Sequence, residues 1–156
     1  MEKLSDSIIN FFHNQDFVIV STLDQNNKIH SSAKGIVGVD HSRVYLIDLY
    51  EAKTFSNLEK NPTITITAID EHQFIGFALK GLAYMVERKN VKEAVIKKWE
   101  KRLIDRMSKR VVKNIQKDKG SSLHPESRFP KFKYLIEMKV GEVIDLTPSH
   151  LKKSAI

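Results

Sequence analysis

Three β-branched and aromatic runs follow one another with almost nothing between them, and that spacing constrains the fold more than any other feature. Phe17–Leu23 (FVIVSTL) reads as a strand. Asp24, Gln25, Asn26 and Asn27 form a polar cluster suited to a tight turn. A second strand runs from Ile29 to Val39, and Asp40, His41 and Ser42 turn it into a third from Arg43 to Leu49. A parallel return needs a crossover of roughly a dozen residues, so these neighbours pair antiparallel. Glu51 to Lys60 reads as a short helix with Phe55 and Leu58 inward, stopped by Asn61-Pro62. Thr63–Ile69 (TITITAI) has the period of a sheet with one wet face. Past Asp70, Glu71 and His72, Phe74 to Glu87 is a long strand in which Gly76 and Gly81 mark bends or bulges. Ser5 to Asn14 opens the chain as a helix with Ile8, Ile9, Phe11 and Phe12 on its apolar side, and Lys133 to Leu146 returns to strand. Six meandering, glycine-bent strands with helices at the margins specify a mainly β fold, a small closed barrel rather than an open sheet.

The length of 156 residues predicts one domain, and an apolar fraction of 41% is enough for a core. With no Cys, disulfides, thiolate metal sites and Cys nucleophiles are excluded. The longest apolar runs are far too short to cross a bilayer, and the opening MEKLSDSIIN lacks the apolar stretch of a secretion signal. A cytoplasmic protein with no membrane partner is expected.

The net charge of +7 is unevenly placed. From Arg88 to Lys119 thirteen cations face only Glu93, Glu100, Asp105 and Asp118, a local +9. Val91, Val95, Trp99, Leu103, Met107, Val111 and Ile115 recur every fourth residue, so the segment at about 90–119 reads as a helical insertion in the single domain. Asn90 with Glu93 forms a candidate capping box, and Gly120 a C-terminal stop. Its charges read first as a solvated face and second as a phosphate- or acid-binding surface. Sequence-specific nucleic-acid recognition is not expected, because helix-turn-helix, zinc-finger and single-strand platform signatures are all absent from the sequence. The apolar stripe fits a seam between subunits and packing within the chain equally well.

No catalytic residue can be named. The six His show no i, i+3 or i, i+4 pair, so spacing supports no metal site, and neither a GxGxxG nor a Walker loop occurs. One constellation does carry chemistry. The third strand delivers the chain to a helix start with Lys53 and Thr54 in its first turn, where unpaired amides, a partial positive dipole, a cation and a hydroxyl converge as a phosphate monoester requires.

The stretch from Phe17 to Glu87, with the pattern Lys53, Asn57, Leu58, Asn61, Pro62 and the tail Gly81-Leu82-Ala83, resembles the pyridoxamine 5'-phosphate oxidase-like, FMN-binding split-barrel superfamily. The resemblance implies a six-stranded antiparallel split β-barrel and a homodimer holding FMN at its seam. It implies an FMN-dependent oxidoreductase acting on a small-molecule substrate or electron donor. Lys53 and Thr54 would hold the phosphate, while Ser32, Ala33, Lys34 and Gly35 on one strand and Ile47, Asp48 and Leu49 on the next would face the ribityl chain and ring, partly through backbone groups. The oxidase proper has an Arg and a Lys where this chain has Ser32 and Val37, and a Gln where Gly76 falls. Its C-terminal Arg- and Trp-containing segment is missing here, so FMN binding is expected rather than oxidation of pyridoxamine phosphate. The alternatives are a flavin or haem carrier without turnover and, further off, a basic nucleic-acid-binding module.

Overall fold

The computed structural model describes residues 3–48, 52–116 and 132–152, with side chains left aside over 106–116. The elements in chain order are α1 (Asp6–His13), β1 (Phe17–Leu23), β2 (Ile29–Val39), β3 (Arg43–Asp48), α2 (Lys53–Lys60), β4 (Thr63–Asp70), β5 (Ile75–Glu87), α3 (Glu93–Gln116) and β6 (Tyr134–Asp145). The strands close into one antiparallel barrel in the order β1-β2-β3-β6-β5-β4. The expected single meander is therefore not what forms: β1-β2-β3 and β4-β5-β6 are two three-stranded meanders, joined into one barrel through the non-sequential seams β3–β6 and β1–β4.

Strand alternation sorts the side chains between the inside and the outside of this barrel. On β1, Val18, Val20 and Thr22 are buried, while Phe17 and Ile19 remain 43% and 47% exposed. On β4, Ile64, Ile66 and Ala68 are buried and the Thr residues between them face out, which is the wet-faced strand that TITITAI predicts. The interior is filled by one cluster that includes Ile36, Leu46, Leu79, Ile136 and Met138.

The helices close the two ends. α1 is capped by the Ser5 hydroxyl, which accepts from the Ile8 amide, and Phe12 at 0% exposure enters the core beside Leu4. The Leu4 amide donates to the His41 carbonyl at 2.7 Å, tying α1 to the β2–β3 turn. α2 lies over the opposite mouth, where Leu58 joins the same core and the Asn57 amide donates to the buried Thr22 hydroxyl at 3.0 Å.

A second, smaller apolar cluster forms outside the barrel from Val37, Ile47, Trp99, Phe132 and Leu135. It exists because α3, between β5 and β6, lays Val95, Ile96 and Trp99 onto the outer face of β2, β3 and β6. Trp99 and its stripe, as far as their side chains are described, thus pack within the chain. α3 starts later than the Asn90–Glu93 capping box predicts. Arg88–Asn90 form a 3-10 turn, and Val91 is extended so that its side chain reaches the outer cluster. Gly120 and the residues after it to 131 lie outside the described part.

Candidate functional site

α2 begins at Lys53, behind Ala52, whose methyl side chain caps no amide of the first turn. Those amides and the positive end of the helix dipole therefore remain available to an external acceptor. The Lys53 side chain is exposed beside them. A cleft of about 720 Å³ opens between this helix and the β1–β2 turn, with Asp24, Asn27, Lys53, Ser56 and Lys60 on its walls. Two cations and a hydroxyl thus share one cavity with an uncapped helix start.

Asp24 shapes the far wall. Its Oδ1 accepts from the Asn26 amide at 2.8 Å and the Lys28 amide at 3.0 Å. Those bonds, led by Lys28, hold its carboxyl below the ordinary value of 3.8, with smaller help from Lys53 and His30. A depressed carboxyl pKa contributes stability above the unfolded-state value and loses it as pH falls through the folded-state value. An Asp24→Ala variant should therefore melt below the parent at pH 7, with the gap narrowing under acid well below pH 3.8. Thermal melts at pH 7 and in strong acid decide; a gap independent of pH would remove the carboxylate from the account.

The residues predicted to line the site do not converge on one surface. On β2, Ser32 and Lys34 lie opposite Val20 and Val18 and share their inward face, whereas Ala33 and Gly35 pair with Ile19 and Phe17 and look outward. On β3, Asp48 turns inward and Ile47, opposite Gly35, turns outward. Leu49 lies outside the described residues.

The inward set is engaged internally. The Thr54 side chain is buried, and its hydroxyl bonds the Ser32 hydroxyl at 2.9 Å. The Thr54 hydroxyl is thus engaged with Ser32 inside the structure rather than exposed at the helix start. The Lys34 ammonium donates to Asp48 Oδ1 at 2.9 Å, with side-chain exposures of 11% and 0%. These groups make a polar floor under α2, in which each contact offsets part of the cost of burying the other's partner.

Two of the outward set, Gly35 and Ile47, meet the α3 indole. A Cβ built on Gly35 would stand 2.6 Å from the Trp99 ring, so only a glycine admits the ring at that point. Trp99 is 6% exposed and packs with Ile47 and with Val37, the residue bulged out of register between Ile36 and Gly38. The stripe that contains Trp99 identifies an apolar face but not the surface that face meets, which is why the sequence leaves a subunit seam and packing within the chain equally open.

The Pyridoxamine 5'-phosphate oxidase family model matches residues 4–134. No curated protein matches the chain by sequence. Among solved structures, HupZ of Group A Streptococcus superposes with a TM-score of 0.65 at 18% identity, covering 92% of this chain and 94% of that one. A general stress protein 26-related protein of the pyridoxinephosphate oxidase family from Clostridium acetobutylicum gives 0.59 at 14% identity, covering 96% and 100%. An FMN-binding protein from Syntrophomonas wolfei gives 0.61 at 14% identity, covering 91% and 83%. At such identities these likenesses establish the barrel and its connections, while the sequence match spanning most of the chain establishes descent. The chain belongs to the pyridoxamine 5'-phosphate oxidase family.

Proposed function

We propose that the chain is an FMN-binding flavoprotein of oxidoreductase type, assembled as a homodimer, in which the start of α2 holds the flavin phosphate. The uncapped first turn with Lys53 beside it, opening into the cleft under the β1–β2 turn, carries this reading. The residues fit the phosphoryl end: the Ala52 side chain accepts from none of the first-turn amides, the ammonium is exposed, and Lys60 adds a second positive charge to the same cavity. Such an arrangement suits a doubly charged phosphate through charge-assisted hydrogen bonds. The Ser32–Thr54 and Lys34–Asp48 contacts keep the floor rigid and neutral, so that the free positive charge lies at the mouth. FMN, once bound, supplies the electron-carrying chemistry, and the chain supplies placement and shielding.

Exposed Phe17 and Ile19, next to Ala33 on the outer face of β1 and β2, supply an apolar strip for a second copy of the chain. The S. wolfei neighbour, an FMN-binding protein on the same fold, supports the flavin part of the reading. A small molecule taking electrons from, or giving them to, the flavin completes it. Among the described residues no helix is long and apolar enough to cross a membrane.

The absorption spectrum of freshly purified protein, with its mass in solution, tests the proposal. Flavin bands on a species of twice the chain mass are expected. A Soret band would replace flavin by haem, and a monomer would remove the shared seam. Lys53→Ala should weaken FMN binding by about 1.5–3 kcal/mol, the scale of a hydrogen bond to a charged group, or roughly 10- to 150-fold. Fluorescence titration measures it; unchanged affinity would reject the role of Lys53.

A further inference from the structure

The predicted ring-facing residues divide into an inward set already bonded to itself and an outward set of Ala33, Gly35 and Ile47. A planar apolar group reaching β2 from the α2 end therefore has only the outer face on which to lie. That face is covered at Gly35 and Ile47 by Trp99. We propose that Trp99 is an intramolecular occupant of the ring half of this site, so that seating of its indole on Gly35 and binding of a flavin ring exclude each other. This rests on the flavin reading above.

Three observations carry the inference. The fit at Gly35 is close enough that a methyl group would collide with the indole, so this is a shaped seat rather than loose surface contact. The indole is also chemically apt: it is a flat aromatic group on an apolar bed of Val37, Ile47 and Leu135, the surface a ring system of similar breadth would use. Third, the six strands close the barrel without α3, whose Val95, Ile96 and Trp99 pack only in the outer cluster among the described residues, so lifting α3 would expose that cluster and leave the barrel closed. α3 is held to the body by side chains along one face, with the Arg102 guanidinium donating to the Gln15 carbonyl at 2.8 Å and the His13 carbonyl at 3.3 Å. Its other face carries exposed Lys97, Lys98 and Lys101. A closed, indole-filled state and an open, ligand-filled state would thus differ at one helix.

A site whose competent state is a minor population binds with an affinity reduced by that fraction. Removing the occupant restores it. Trp99→Ala should tighten binding of both FMN and riboflavin by roughly tenfold or more, while leaving competition by inorganic phosphate at α2 unchanged. Trp99→Phe, which keeps a smaller ring on the seat, should fall between. In the unmodified full chain, FMN should speed hydrogen exchange of backbone amides over 93–104. That measurement needs no variant and decides the matter should Trp99→Ala fail to fold. Equal flavin affinities in parent and Trp99→Ala, or α3 amides slowed by FMN, would overturn the proposal and leave the flavin reading standing. Absence of FMN and riboflavin binding in every protein would overturn both together.

Discussion

Lys34→Met is expected to lower the unfolding free energy by about 3–5 kcal/mol at neutral pH, the range for removing one partner of a buried ion pair. Asp48 has a fully buried side chain, and the Lys34 ammonium sits 2.9 Å from its Oδ1 with only 11% of its own side chain exposed. Without the ammonium, the fully buried Asp48 carboxylate loses the cation bonded to its Oδ1. The size of the loss is set less by the Coulomb attraction than by the desolvation cost that this contact offsets. The double variant Lys34→Met/Asp48→Leu should accordingly recover most of the deficit, because an apolar pair of similar volume is often as stable as the ions it replaces. Urea unfolding of parent, both single variants and the double variant closes the cycle. A Lys34→Met loss below about 1 kcal/mol, the scale of an exposed pair, would show that water or another group already serves Asp48. The same variants also test whether this pair matters to the anion site proposed at Lys53.

The contrast between this pair and Trp99 marks where sequence reading succeeds and where it stops. β1 and β2 have the bounds that the β-branched runs predict, and α2 and β5 begin only slightly later than expected. Period-two alternation and turn chemistry are local properties, complete within ten residues. Gly38 beside Val37 is the kind of residue that accompanies a bulge, but where the register slips is set by the partner strand, and β2 bends there against β3. The helix start at Lys53 was legible because strand, loop and helix follow directly in the chain. The rest of the expected site comprises two short runs, Ser32 to Gly35 and Ile47 to Leu49, and alternation splits the side chains of the first between two faces. That split was available from the strand period alone. What covers the outer face was not, because Trp99 lies more than sixty residues after Gly35 and the contact depends on how α3 crosses the sheet. Local signals thus located the helix start at Lys53, and only tertiary structure could show that α3 covers the outer face at Gly35.

Gly81→Ala should destabilise the barrel by at least about 3 kcal/mol, the upper end for overpacking, a fall in melting temperature of roughly 6–12 °C for a domain of this size. β5 and β6 shift register between Lys80 and Gly81, and Gly141 is skipped between Glu142 and Val140. At that bulge the two backbones approach so closely that a Cβ on Gly81 would lie 1.9 Å from the Lys139 carbonyl oxygen. The obstacle is backbone, and it cannot swing aside as a side chain would. Lys139 is paired on both edges, with Arg43 of β3 and Leu82 of β5, so retreat would break one ladder to relieve the other. Gly38→Ala provides the control. No atom stands within 4 Å of its added Cβ, and no glycine in the described residues has a positive φ, so a change within about 1 kcal/mol is expected there. Thermal and urea melts of the two variants separate the claims. Equal losses would mean that glycine entropy alone sets the effect, and a benign Gly81→Ala would mean that the β5–β6 seam relaxes where the double pairing of Lys139 says it cannot.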